Sequence, residues 1–151
     1  MLNHQFYDIL DNLGYTVEYA DLSGRDRLGE CIPAKKLVRL HHDLTEREHP
    51  FVLGHETWHA INGDEPTMFG CFDARMERRA DEWSASRCID MNRFRELEEQ
   101  FSGHVPTIAF HLGVPDEAVN VYTSMLLRLG DDLFMGSKMG AGQWRMKIEV
   151  A

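Results

Sequence analysis

The sequence predicts an α+β fold in which a small N-terminal β-sheet precedes a series of helices. Three observations lead to this expectation. Short strand-like runs occupy residues 15–44, and helical patterns dominate residues 51–129. The chain has 151 residues, of which 43% are hydrophobic and 27% charged, which is ordinary for one globular domain with a proper core.

The first fifty residues predict one helix and a small sheet. Apolar residues within 6–13 recur at helical spacing, and Gly14 ends that helix. Residues 15–22 alternate as a strand does, and residues 23–26 are typical of a turn. Residues 30–44 are predicted as further strand, which completes the sheet.

Helices follow the sheet. Thr45, with Glu48 three residues later, is typical of a capped helix start, although Pro50 makes the entry irregular. The next helix is predicted over residues 51–62, with Gly63 as its left-handed C-terminal cap.

The second half of the chain predicts a loop, three helices and a tail. Residues 65–71 are loop-like, and residues 73–99 form one long helical stretch without Gly or Pro. Shorter helices are predicted over 105–112 and 115–129. A Gly-rich tail follows and is expected to end in a strand at 144–150.

Charge and cysteine content narrow the function classes. The formal net charge is −9, which argues against a phosphate-binding stripe or an anionic membrane surface as partner. No apolar run reaches the roughly 18–20 residues of a membrane span, and the N-terminus lacks the pattern of a signal peptide. Three cysteines without C-x-x-C spacing favour a reduced, cytoplasmic setting.

The stretch FVLGHETWHAINGDE carries the clearest chemistry. His55 and His59 are four residues apart on the predicted helix, so both imidazoles can reach one metal ion. Glu56 projects beside them and can reach a metal-bound water, as a general base must. In a chain with 8 histidines, chance would produce H-E-x-x-H with a probability of roughly 4%. The motif alone is therefore moderate support for a metal site.

A third protein ligand can be sought independently in MERRADEW. Glu77 and Asp81 are four residues apart and share one face of the next predicted helix. In the gluzincin arrangement Glu77 would bind zinc, and Asp81 would accept a hydrogen bond from the far nitrogen of His55 or His59. The two motifs complete one another, whereas Glu77 and Asp81 taken in isolation would be read as solvated charges.

Other third ligands stay open. A metzincin would need Gly at position 62 and His at position 65, where the chain has Asn62 and Glu65. That pattern fails at both positions, although Glu65 could itself be a ligand. Asp64 and Cys71 are further candidates.

With these residues in place, the chain resembles the ImmA/IrrE family of metallopeptidases. The resemblance covers roughly residues 35–130, and rests on FVLGHETWH (51–59), ERRADEW (77–83) and the closing segment 108–130. It implies a minimal, zincin-like fold and a zinc-dependent endopeptidase with one Zn²⁺ per chain. It also implies that the substrate is a helix-turn-helix transcriptional repressor of a phage or mobile element.

The corresponding roles are Glu56 as catalytic base, His55, His59 and Glu77 as metal ligands, and Asp81 as the supporting acid. An additional oxyanion donor is left open among three downstream residues that more commonly serve in a core or surface, namely His104, His111 and Tyr122.

Two other functions compete with proteolysis. A zinc protein could bind and inactivate a repressor without cutting it. Residues 108–122 also read like a helix-turn-helix, but the second helix carries Asp116 and Glu117 and no basic residue before Arg128, so direct nucleic-acid binding is not expected.

The histidines outside the motif invite a second metal site. His41, His42 and His49 are spaced by one and seven residues, which defines no ligand face, so solvated strand or turn positions are the preferred interpretation.

We predict a single metallopeptidase-like domain over residues 1–151. Its parts are the helix and sheet, the metal-binding helices, the C-terminal helices and the Gly-rich tail, at 1–50, 51–99, 100–130 and 131–151. The sequence gives no oligomeric state.

Overall fold

A computed structural model of the protein describes residues 2–25, 28–64 and 70–139. The described elements run in chain order as α1 (Leu2–Asn12), β1 (Thr16–Ala20), β2 (Gly29–Ile32), β3 (Leu37–His41), α2 (Glu48–Asn62), α3 (Gly70–Cys88), α4 (Met91–Gln100), α5 (Val105–Leu112) and α6 (Asp116–Met139). A small three-stranded sheet followed by helices confirms the predicted α+β fold. None of the described helices combines the length and apolarity needed to cross a membrane. The division of residues 1–151 into one domain stays a prediction.

The sheet has the strand order β1-β3-β2. Strand β1 runs parallel to β3, and β2 runs antiparallel to it. The prediction of continuous strand over residues 30–44 is wrong, because a short 3₁₀ helix at Pro33–Lys35 separates β2 from β3. Pro33 cannot donate to a strand ladder, and Lys36 adopts a left-handed conformation with φ 48°, so the chain reverses there.

Helix α2 begins three residues earlier than predicted. The amide and hydroxyl of Thr45 both donate to the Glu48 carboxylate at 2.9 Å, and the Glu48 amide donates back to the Thr45 hydroxyl at 3.2 Å. This reciprocal cap starts the helix before Pro50, which lies in the first turn, where a missing N–H is tolerated. Gly63 ends the helix at φ 62°, as predicted.

The prediction of one helix over residues 73–99 is wrong. The chain breaks after Cys88, and the Asp90 side chain accepts a hydrogen bond from the Arg93 amide at 2.9 Å, which starts α4 as a new helix. Helix α3 begins at Gly70, so the predicted loop over 65–71 is helical at its last two residues. Residues 65–69 lie outside the described part of the chain.

The two final helices follow the prediction at their starts but not at the end of the chain. Helix α5 has the predicted bounds, and α6 starts within one residue of its predicted position. Helix α6 continues to Met139, so the prediction of a Gly-rich tail from residue 130 is wrong for 130–139. The predicted strand at 144–150 lies outside the described residues.

Helix α2 lies at the centre of the core, against α1, the sheet and α3. Phe6 and Leu53 are fully buried between these elements. At Gly54 the helix approaches α3 so closely that an added Cβ would lie 2.9 Å from the Phe6 ring and 3.0 Å from the Ser84 Cβ. The Ser84 hydroxyl donates to the Phe51 carbonyl at 2.6 Å, so the two helices are also joined by a buried hydrogen bond.

A second set of polar contacts joins α1, β1 and α2 on the outside of this core. The hydroxyls of Tyr7 and Tyr19 are 2.7 Å apart, and the Tyr19 hydroxyl is 2.9 Å from Nε2 of His49. The rings of Tyr19 and His49 stack with centroids 6.0 Å apart. The neutral imidazole of His49 fits this position because its Nε2 can accept from the Tyr19 hydroxyl.

We expect His49 to make the protein less stable as the pH falls below about 6.5. Burial lowers the pKa of His49 in the folded protein, so the unfolded chain binds this proton at a higher pH than the folded protein does. Acidification therefore stabilises the unfolded state relative to the folded one. Urea unfolding between pH 7.5 and 5 should show a shallower loss of unfolding free energy in His49→Gln than in the wild type. The exposed His111 provides the control substitution, His111→Gln. A slope that His49→Gln leaves unchanged would contradict this assignment.

Candidate metal centre

Helices α2 and α3 bring together the residues that the sequence selected. His55 and His59 lie one turn apart on α2, with their Nε2 atoms 3.2 Å from each other. The Glu77 carboxylate on α3 spans both rings, with Oε2 3.0 Å from Nε2 of His55 and Oε1 2.9 Å from Nε2 of His59. Three groups able to bind a metal therefore converge on one point.

Two further carboxylates orient the imidazoles. Nδ1 of His55 is 2.7 Å from Oδ1 of Asp81, so the structure selects His55 as the histidine that contacts Asp81. Nδ1 of His59 is 3.1 Å from Oδ2 of Asp64. Because each Nδ1 faces a carboxylate, each Nε2 is directed towards Glu77.

Asp64 was predicted only as a candidate ligand, and its contact with His59 was not predicted from the sequence. The left-handed cap predicted at Gly63 is the signal that could have found this contact. It reverses the chain after α2, and the Asp64 amide then donates to the His59 carbonyl at 3.1 Å. The residue after such a cap returns to the last helical turn, where His59 lies. The alternative ligands Glu65 and Cys71 have side chains outside the described part of the structure.

The carboxylates control the charge of the site. Burial disfavours a charged imidazole, but the carboxylates of Asp81 and Glu77 outweigh it and raise the pKa of His55 to about 10. Burial also disfavours a charge on His59, but the carboxylates of Glu77 and Asp64 outweigh this effect and raise the pKa of His59. Hydrogen bonds from His55 and His59 hold the pKa of Glu77 well below its usual range. The cluster thus keeps Glu77 anionic and favours positive charge on the rings.

The donor set fits a zinc ion. Two imidazole nitrogens and one carboxylate are a ligand set of catalytic zinc sites, which leave one position for water. Ligands about 2.0–2.1 Å from a tetrahedral ion are about 3.3 Å apart, and the observed separations of 2.9, 3.0 and 3.2 Å are close to this value.

The three groups open into a cavity of about 570 Å³ bordered by β2, α2, α3 and the start of α6. Glu56 lies on its wall and is 6% exposed. Acidic side chains predominate in the lining, and neither Lys nor Arg occurs among the described residues that form it. Such a cavity attracts cations.

The candidate oxyanion donors do not line this cavity, as far as the described residues define it. Nδ1 of His104 contacts the Thr107 hydroxyl at 2.7 Å, and His111 stacks on Phe101 with ring centroids 5.0 Å apart. Tyr122 is buried against Phe94. The structure thus gives all three residues roles at the surface or in the core.

The chain also connects the cavity to α5 and α6, the segment that resembles a helix-turn-helix. Nη1 of Arg47, directly before α2, donates to the Val114 carbonyl in the turn at 3.3 Å. Pro115 and Glu117 at the start of α6 line the cavity. The end of α6 that would read DNA in a helix-turn-helix protein therefore borders the cavity.

Comparison with known proteins identifies the family of the chain. No curated protein sequence matches the chain. The family model described as IrrE N-terminal-like domain, Peptidase M78, matches residues 10–124. The match extends further towards the N-terminus than the resemblance over 35–130, and takes in β1 and the end of α1 as well as the metal centre. Since it covers most of the chain, the protein belongs to the IrrE N-terminal-like family of metallopeptidases.

Proposed function

We propose that the protein is a zinc-dependent endopeptidase that hydrolyses a peptide bond in a protein substrate. His55, His59 and Glu77 would hold one zinc ion, and Glu56 would act as the catalytic base. The observation that carries this proposal is the convergence of the three donor groups beside Glu56 in one open cavity.

The mechanism divides the work between the metal and Glu56. A zinc ion in this site would lower the pKa of a bound water to about 7 and polarise the peptide carbonyl. Glu56 accepts the proton of the attacking water and delivers it to the leaving amine. With a metal bound, Asp81 and Asp64 would accept hydrogen bonds from Nδ1 of the two imidazoles and so leave each Nε2 for the ion.

The sheet suggests how a substrate would lie. Among the described residues, β2 pairs only with β3, and Gly29, Glu30 and Cys31 of β2 line the cavity beside Glu56. An extended peptide can pair with such an edge and lie across the metal centre. A substrate segment would therefore have to be unfolded or flexible at the bond that is cut.

We propose a helix-turn-helix repressor of a phage or mobile element as the substrate, on the basis of the family resemblance. Such a substrate is found with its DNA in the cytoplasm, which is where we propose that this protein acts. Binding of the repressor without cleavage is the competing outcome, and the first experiment separates the two.

Glu56→Gln should abolish repressor cleavage and leave zinc binding intact. The amide keeps the size of the side chain but cannot take a proton, and loss of a general base costs roughly 10²- to 10⁴-fold in rate. The assay mixes the zinc-loaded protein with purified helix-turn-helix repressors and follows cleavage by mass spectrometry. Cleavage at the wild-type rate would remove Glu56 from the mechanism, and binding without cleavage by the wild type would favour the non-proteolytic alternative.

Gly29→Ala should reduce cleavage by roughly 10- to 100-fold without loss of zinc. A Cβ at this position would lie 3.0 Å from both Cγ and Oε1 of Glu56 and 2.9 Å from Cγ1 of Val52, so the Glu56 carboxylate has to move. Gly24→Ala is the matched control, because no atom lies within 4 Å of its added Cβ. Equal cleavage rates in both variants would show that the position of Glu56 is not critical.

Zinc analysis after dialysis should separate a ligand from a supporting residue. Glu77→Ala should lose the cavity zinc, whereas Asp81→Ala should bind it roughly 10- to 100-fold more weakly, because it removes only the partner of Nδ1 of His55. Glu99→Ala, which removes an exposed carboxylate from α4, is the control. Undiminished zinc in Glu77→Ala would overturn the ligand assignment.

A further inference from the structure

A second group of side chains that could hold a metal ion lies outside the cavity, at the carboxyl ends of β1 and β3. Asp21, His41 and His42 each offer a ligand atom, and these atoms lie within 4.8 Å of one another. None of the three belongs to the described lining of the cavity. Their grouping therefore needs an explanation independent of the peptidase site.

The parallel pairing of β1 with β3 produces this group. Ala20 is paired with His41 in the register of the two strands. In a parallel pair the carboxyl ends of both strands meet at one edge, so Asp21 and His42, each one residue further on, emerge side by side. The spacing of histidines along the chain gave no sign of a ligand face because the third member comes from another strand.

Local contacts orient the three side chains. Nδ1 of His41 and Nδ1 of His42 both lie 3.3 Å from the Ala20 carbonyl, the type of acceptor that metal-bound imidazoles use for their second nitrogen. Oδ1 of Asp21 accepts from the Ser23 amide at 3.0 Å and from its hydroxyl at 2.6 Å. These bonds fix the carboxylate through one oxygen, and its other oxygen can bind an ion.

We propose that Asp21, His41 and His42 form a second binding site for a divalent transition-metal ion of the zinc class. Two imidazoles and a carboxylate suit such an ion, and the site leaves further positions for water. A second carboxylate is near, since Oδ2 of Asp43 is 3.6 Å from Nε2 of His42. An ion here would bind the ends of β1 and β3 to each other and stabilise the sheet.

The second site should bind zinc more weakly than the cavity. Asp21 and His42 are exposed, so water competes for the ion. Nδ1 of His41 is also 3.1 Å from the Leu22 amide, which competes with the Ala20 carbonyl for that nitrogen and opposes the tautomer with a proton there. By contrast, both cavity histidines have carboxylate partners.

Titration of the full chain with Zn²⁺ after chelator treatment tests this site. We expect the affinity for one of the bound ions to fall at least tenfold in His42→Ala and in Asp21→Asn. The same affinity should be unchanged in Glu77→Ala. His111→Ala, which removes an exposed histidine elsewhere, should retain every ion of the wild type. Thermal unfolding of each variant without zinc checks the fold. With zinc, the second-site variants should lose the part of the rise in Tm that Glu77→Ala keeps, and His111→Ala should show the full rise.

The proposal fails if no bound ion responds to His42→Ala and Asp21→Asn, or if His111→Ala weakens the same ion. It is independent of the peptidase proposal, whose failure would appear as zinc binding that Glu77→Ala leaves unchanged. Repressor cleavage at saturating cavity zinc should be the same in His42→Ala as in the wild type, because the second site supplies no group to the cavity.

Discussion

The close packing of α2 against α3 is the constraint on which the candidate site depends. The first helix supplies His55 and His59, and the second supplies Glu77. Glycine at position 54 lets the helices approach, and the Ser84 hydroxyl joins them through the Phe51 carbonyl. A carboxylate on a short side chain can reach both imidazoles only if the helix axes stay at this distance. The convergence of the three donor groups therefore rests on this buried contact between the helices.

The same packing explains why the candidate metal ligands are held in place without a metal ion. The imidazoles lie between Glu77 on one side and Asp81 and Asp64 on the other, so each ring has a polar contact at both nitrogens. Burying two imidazoles without such partners would be costly. The carboxylates offset that cost, and they fix the rings in the orientation that a metal requires. A preorganised site of this kind needs little rearrangement on metal binding.

Sequence reasoning succeeded where the determining interactions are local. Spacing within one helix put His55 and His59 on one face, and Gly63 marked the end of α2. It failed where the chain turns without a strong local signal, as at Asp90, since a break between Cys88 and Met91 needs no Gly or Pro when an aspartate caps the next helix. Pro33 is a local signal against a continuous strand over residues 30–44, because proline cannot donate to a strand ladder.

Contacts between elements that are distant in sequence could not be predicted from the spacing of residues along the chain. Which histidine contacts Asp81 depends on how α3 lies across α2, and the grouping of Asp21 with His42 depends on the register of two strands that are not adjacent in sequence. Spacing selected Glu77 and Asp81 as candidates for the third ligand and its supporting acid, and the family resemblance agreed with this choice and with the general fold. The resemblance contained no information on the contact between Asp64 and His59, which follows from the way the chain leaves α2.

The three donor groups of the cavity differ in their exposure to solvent, and this difference decides which of them a competing chelator would reach first. The side chains of His55 and His59 are 15% and 9% exposed, whereas that of Glu77 is 58% exposed. A competing chelator would meet the carboxylate first and displace it while both imidazoles still held the ion. Release of an ion bound in the proposed site would then depend on the freedom of one glutamate side chain rather than on opening of the core.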